Sequence, residues 1–188
     1  MLVSDSLERA EMLRSVRADA SNINVKRLTW FDVGRFVSMR HELEAESTHL
    51  GPNGGERKAK ESDWYTLLRM LVNRKRMFTF VAEDGGQMVG FISLIFAKFK
   101  KFSGNAYITI SVRASHRGKN IGTKLMETAE SFARSKGIRR LELEVFSRND
   151  GAIKLYERLG YEIEGRRRNA VFDNGEFDDV VLMAKFIA

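Results

Sequence analysis

The chain has 188 residues, enough for one domain and cramped for two with separate cores. Its 32 Lys and Arg against 25 Asp and Glu leave a formal charge of +7, and 43% apolar with 30% charged residues is ordinary for a globular chain, which excludes wholesale disorder. One Pro and 15 Gly exclude collagen-like or Pro-rich architecture, while zero Cys excludes disulfides, thiolate metal sites and covalent catalysis through a protein thiol.

The start, Met1-Leu-Val-Ser-Asp, brings charge early and no apolar core segment, so no secretory signal is expected and the expected location is the cytoplasm. Residues 1–20 can be drawn as a charged helix with a thin apolar stripe (Leu7, Ala10, Leu13, Val16), an extension or docking arm. A strand is expected over Ile23–Leu28, and Asp32 can cap a helix running to about Glu46. The segment His49–Lys60 holds Gly51-Pro52-Asn53-Gly54-Gly55, a long loop, before a second helix over about Ser62–Asn73. Trp64 and Tyr65 on that helix read as core aromatics or as the lining of an acceptor pocket.

Two strands joined by Glu83-Asp84-Gly85-Gly86 follow, Phe78–Ala82 and Met88–Phe96, then a third over Asn105–Val112. The most apolar stretch, Phe91–Ala97, is far short of the ~20 residues of a membrane span and reads as a buried strand. Ile121, Leu125, Ala129, Phe132 and Ala133 recur at helical spacing up to Lys136-Gly137. Leu141–Phe146 alternates as a strand, Asn149 can cap a helix that Gly160 ends, and the last strands are Tyr161–Glu164 and Asp179–Phe186 with a turn at Asn174-Gly175. The basic clusters Arg74-Lys75-Arg76, Lys98 with Lys100-Lys101, and Arg166-Arg167-Arg168 are short and scattered, so the positive charge selects no single partner.

Chemistry concentrates where the third strand turns into the helix at Ile121. Unpaired amides of a helix first turn and the positive end of its dipole make an anion cradle, with Gly118 and Gly122 letting backbone come close. The spacing fits neither familiar phosphate loop: Thr123-Lys124 reverses the P-loop order, and Asn120 stands where a dinucleotide fingerprint needs Gly. His41-Glu42 begins like a zinc-protease motif, but Ala45 occupies its fifth place, so no metal is expected.

Arg117-Gly-Lys-Asn-Ile-Gly122 resembles the Arg/Gln-x-x-Gly-x-Gly/Ala acyl-CoA pyrophosphate loop of the GNAT superfamily of N-acetyltransferases. One strand later, Asn149-x-x-Ala152-x-x-Leu155-Tyr156 with Gly160-Tyr161 resembles that superfamily's next helix. The resemblance covers about Ile23 to the C-terminus, which makes residues 21–188 a single acetyltransferase domain behind the 1–20 extension. Asn120 departs from the motif's first Gly, though Asn tolerates left-handed backbone best among the other residues. The implied fold is α+β (α/β): a central mixed, mostly antiparallel sheet of roughly six to seven strands flanked by about four helices.

The implied activity is direct transfer of the acetyl group of acetyl-CoA to a primary amine, on a protein N-terminus or a small molecule. No acyl-enzyme forms in such a transfer, in keeping with the lack of Cys. The reaction needs a neutral amine, a stabilised oxyanion and a proton for the departing thiolate. The resemblance makes Tyr156 the acid and Glu144 the base, the latter at the Leu-Glu-Val position used in some ribosomal-protein N-terminal acetyltransferases; Glu142 or a water is the fallback, and Tyr156 also fits as a core aromatic. Cofactor contacts fall on Ile110, Val112 (its N–H the oxyanion donor), Arg117, Gly118, Lys119, Asn120, Ile121, Gly122, Thr123 and Asn149, with Lys124 adding positive charge. Asn149 serves equally as a helix cap. Glu42, Glu44 and Glu46 could face a protein tail, and a homodimer is a family prior. The rival reading is a non-catalytic acyl-CoA-binding or nucleic-acid-binding module on the same fold. No helix carries the basic stripe of a groove reader.

Overall fold

The computed structural model describes residues 22–46 and 76–187. Seven strands make one sheet in the order β1-β2-β3-β4-β5-β7-β6. They are β1 (Asn24–Arg27), β2 (Met77–Asp84), β3 (Gln87–Phe96), β4 (Asn105–Val112), β5 (Arg140–Phe146), β6 (Glu162–Asp173) and β7 (Glu176–Phe186). Three α-helices accompany them among the described residues: α1 (Val33–Glu46), α2 (Ile121–Ser135) and α3 (Asp150–Arg158). Neighbouring strands are antiparallel except β4 and β5, so the expected mixed, mostly antiparallel sheet is present. The expected helix within 1–20, the Gly-rich loop of 49–60 and the helix of 62–73 with Trp64 and Tyr65 lie outside the described residues. No described helix is long and apolar enough to cross a membrane.

Over β2 and β3 the sheet is covered on both faces, which explains why β3 reads as an almost continuous apolar run. On one face Ile121, Leu125, Met126, Ala129 and Ala133 of α2 pack on Ile92, Leu94, Ala106, Ile108 and Leu141. On the other, Val33, Phe36, Val37, Met39 and Leu43 of α1 pack on Val81, Met88 and Phe91, with the Phe36 and Phe91 rings edge to face at 5.3 Å.

Two local expectations change. Asp32 is not the cap of α1; it closes a single 3-10 turn, Trp30–Asp32, that runs straight into the helix. Its carboxylate accepts from Thr29 N at 3.1 Å, Thr29 Oγ1 at 2.6 Å and Lys26 Nζ at 3.0 Å, which moves the capping role back to Thr29. The final hairpin also extends to its Asn174-Gly175 turn, well beyond the short strands expected. β6 is an edge strand with exposed residues along most of its length and bulges near Glu164 and Asn169, so no clean period-two apolar pattern announces it.

The register of β4 and β5 opens a gap in the sheet. β4 and β5 pair over three rungs only, Asn105↔Arg140, Ala106↔Leu141 and Tyr107↔Glu142, and then part. β4 stays bound to β3 as far as Gly90↔Val112, and β5 stays bound to β7 as far as Phe146↔Val180. The parting is therefore a wedge in an otherwise continuous sheet.

Gly90 lets β3 hold the end of β4 closely: a Cβ there would stand 2.8 Å from the Ser111 carbonyl oxygen and 3.3 Å from Val112 Cα. Both are backbone atoms that cannot swing aside. Gly90→Ala is expected to lower the unfolding free energy by about 1–3 kcal/mol in denaturant titration, because the strand must shift to admit the methyl group.

Candidate active site

From Val112 the chain reaches α2 through Arg113, a 3-10 turn over Ala114–His116, and the segment 117–120. Gly118 at φ 77° and Asn120 at φ 58° both take left-handed backbone and bend this segment into a tight loop. The Asn120 side chain does not cap α2, and the first helical bond runs from Lys124 N to Asn120 O at 3.1 Å. The amides of Ile121, Gly122 and Thr123 thus have no acceptor within the helix, and they sit at the positive end of its dipole. The N-terminus of α3 opens onto the same space, with Asn149 Oδ1 accepting from Ala152 N at 3.2 Å. Together the two helix starts wall a cleft of about 460 Å³.

Ile110, Val112, Arg117, Gly118, Asn120, Ile121, Gly122, Thr123, Asn149 and Tyr156 all line this cleft. Lys119 does not, and Lys124 turns away to the start of β1, its Nζ 3.4 Å from the Ile23 carbonyl oxygen. Arg158 from the last turn of α3 lines the cleft instead, a cation that no local motif announces. Arg117 is oriented by donating Nε to the Val112 carbonyl at 3.2 Å. Gly122 has a packing role, since a Cβ there would lie 2.9 Å from Leu155 Cδ2 of α3.

The cleft runs down to the wedge. Arg113 N donates to Val89 O at 2.9 Å, so its amide faces β3. By alternation along an antiparallel ladder, the amides of Val112 and Ile110 face the other way, towards β5 and into the gap. Tyr156 closes this end: it is 6% exposed, it belongs to the core around α2, and its ring centroid lies 6.1 Å from that of Tyr161. Core residue and cleft residue are thus the same side chain. Burial, and after it the neighbouring Tyr107 phenol, push the Tyr156 hydroxyl well above the usual tyrosine range, so it stays protonated.

Glu144 is not brought into the cleft. It lies opposite Leu141, Leu143 and Val145, as strand alternation requires, and so on the sheet face away from α2. Both its oxygens are held by Arg167 of β6, at 2.6 and 2.8 Å. Glu142 shares that face and accepts from Arg140 Nε at 2.7 Å and Asn105 Nδ2 at 3.1 Å. Tyr107, at the last paired rung of β4, interacts with both Glu144 and Tyr156. Burial first, then the Glu144 charge, raise its hydroxyl above the ordinary value, with Arg167 opposing. Sequence reasoning misses Tyr107 and Arg167 because only the long-range strand register places them here.

Glu42, Glu44 and Glu46 are engaged within the fold. Arg113 Nη1 pairs with Glu42 and lies 3.8 Å from Glu46, while Ala114 N donates to Glu46 Oε2 at 3.1 Å. Arg113 Nε also donates to Met88 O at 3.0 Å. Glu44 is buried beside Arg40 Nε at 3.2 Å. Glu42 and Glu46 clasp α1 to the end of β4, and Glu44 pairs within α1.

Helix-terminal amides facing a parted strand pair define a site for a phosphate-bearing ligand held against exposed strand backbone. The profile of the acetyltransferase (GNAT) family matches residues 37–161, more than half of the chain, and the protein belongs to that family. An uncharacterized N-acetyltransferase of Methanocaldococcus jannaschii is 35% identical over 109 residues, 56% of this chain and 47% of that protein. The L-amino acid N-acetyltransferase of Escherichia coli is 31% identical over 116 residues, 61% of this chain and 72% of that protein. The chain spans about half to under two thirds of the length of the first curated relatives it matches. A Salmonella typhimurium structure solved with its cofactor acetyl-CoA superposes with a TM-score of 0.74 at 19% identity, over 89% of this chain and 95% of that one.

The left-handed backbone at Asn120 can be tested apart from activity. Asn120→Gly is expected to leave thermal stability unchanged or slightly raised, whereas Asn120→Ala loses about 1 kcal/mol, read as a lower Tm in calorimetry.

Proposed function

We propose that this protein is an acetyl-CoA-dependent N-acetyltransferase that moves the acetyl group to a primary amine. The observation that carries the reading is the continuity of the cleft: the uncapped amides of Ile121–Thr123 at one end, and the unpaired strand edge with Tyr156 at the other. The residues fit the cofactor, since a pyrophosphate needs several convergent N–H donors and positive charge, and the start of α2 with Arg117 and Arg158 offers both.

Acetyl-CoA supplies an activated acyl thioester. The Val112 N–H would donate to the carbonyl oxygen as it gathers negative charge. The Tyr156 hydroxyl would give its proton to the departing sulfur as the C–S bond breaks. The amine attacks as a neutral nucleophile, although a free alkyl amine with a pKa of ~10.4 arrives mostly protonated. Its proton would go to Glu144 on the far side of the wedge, directly or through a water, once the Arg167 pair opens. That route places acceptor and cofactor on opposite faces of the sheet, meeting where β4 and β5 part.

A thiol-release assay with acetyl-CoA against amines and N-terminal peptides tests the proposal. Tyr156→Phe is expected to lower kcat by about 10²-fold and to leave the KM for acetyl-CoA nearly unchanged. Because its hydroxyl is held above the usual range, Tyr156 should contribute no alkaline fall in kcat below about pH 10. Tight CoA binding without release towards any amine would instead favour the binding-module reading.

A further inference from the structure

We infer that Arg167 and Glu144 form the acceptor subsite for a zwitterion, an α-amino acid whose ammonium group takes Glu144 and whose carboxylate takes Arg167. This rests on the acetyltransferase reading and names its acceptor class.

Glu144 lies on β5 beyond the last rung shared with β4, so it borders the wedge, and it does so from the face that the cofactor cleft leaves free. An amine that reaches Glu144 stands at the wedge opposite Tyr156, with the half-buried Tyr107 interacting with both.

Charge balance selects the acceptor. A polyamine or an aminoglycoside needs carboxylates in excess, whereas the ion-paired carboxylates described around Glu144 are each held by an arginine. Glu142 and Glu164 are held by Arg140, Asp179 by Arg166 Nη1 at 3.2 Å, and Glu144 by Arg167. A neutral pair of opposite charges matches a ligand that is itself neutral and carries both charges on adjacent carbons.

Geometry fits as well. The Arg167 fork already presents two nitrogens to the two oxygens of one carboxylate, at 2.8 and 2.6 Å, which is the geometry an α-carboxylate requires. When the ligand carboxylate replaces Glu144 on this fork, Glu144 is released to receive the ammonium group and then its proton. The Arg167 side chain is 55% exposed, and such pairs add little to stability, so opening it costs the fold little.

The test measures acetyl transfer from acetyl-CoA to a panel of L-amino acids, each paired with its own amide, in wild type and Arg167→Gln. The wild type is expected to prefer the acid over the amide by at least about tenfold in kcat/KM, and Arg167→Gln to abolish that preference through the KM of the acid alone. An unchanged Tm and an unchanged KM for acetyl-CoA would show that the variant is folded. Equal rates with acid and amide in the wild type, or a preference that survives in Arg167→Gln, would overturn the inference. Transfer to peptides or polyamines but to no amino acid would overturn it too and leave the acetyltransferase reading standing. Failure to bind acetyl-CoA would overturn the reading beneath it.

Discussion

The structure depends on an interruption: β4 and β5 begin as a parallel pair and part after three rungs. Backbone N–H and C=O groups deprived of a ladder must find another partner, water or ligand, because leaving them buried and unpaired is costly. The fold keeps these groups available by fixing both sides of the wedge elsewhere, β4 against β3 and β5 against β7. Gly90 allows the first of these attachments to be close, and Tyr107 stands at the last shared rung.

The two layers of side chains on either side of the sheet have different tasks. The core under α2 and α3 fixes both helix starts at the cleft, and the contact of Gly122 with Leu155 sets how near they come. The core under α1 holds that helix to β2 and β3, and the pairs of Arg113 with Glu42 and Glu46 tie its end to the residue after Val112. A buried arginine with that many partners would be expensive to strand, so the clasp keeps the strand end and the helix in one arrangement.

The cleft half of the candidate site was legible in the sequence because it is local. Arg117, Gly118, Asn120 and Gly122 lie within one turn, Asn149 and Tyr156 lie on one short helix, and the backbone needs of a helix start explain the residue types. The half proposed for the acceptor was not legible. Whether Glu144 faces the cleft or the opposite surface follows from strand alternation, but its partner Arg167 sits 23 residues along, on an edge strand whose bulges shift the register. Tyr107 and Arg158 likewise gain meaning only from elements brought together by the sheet and the helix pair. The same lack of pattern explains why β6 and β7 are longer than their apolar residues suggest.

The most direct test of the account is to follow the backbone amides by ¹⁵N-edited NMR while acetyl-CoA is added to the whole protein. The largest shifts are expected at the amides of Ile121, Gly122 and Thr123, and at Val112 in the wedge. Shifts centred on another surface, or a Val112 amide that does not respond while the α2 amides do, would contradict the claim that the parted strands receive the reacting group.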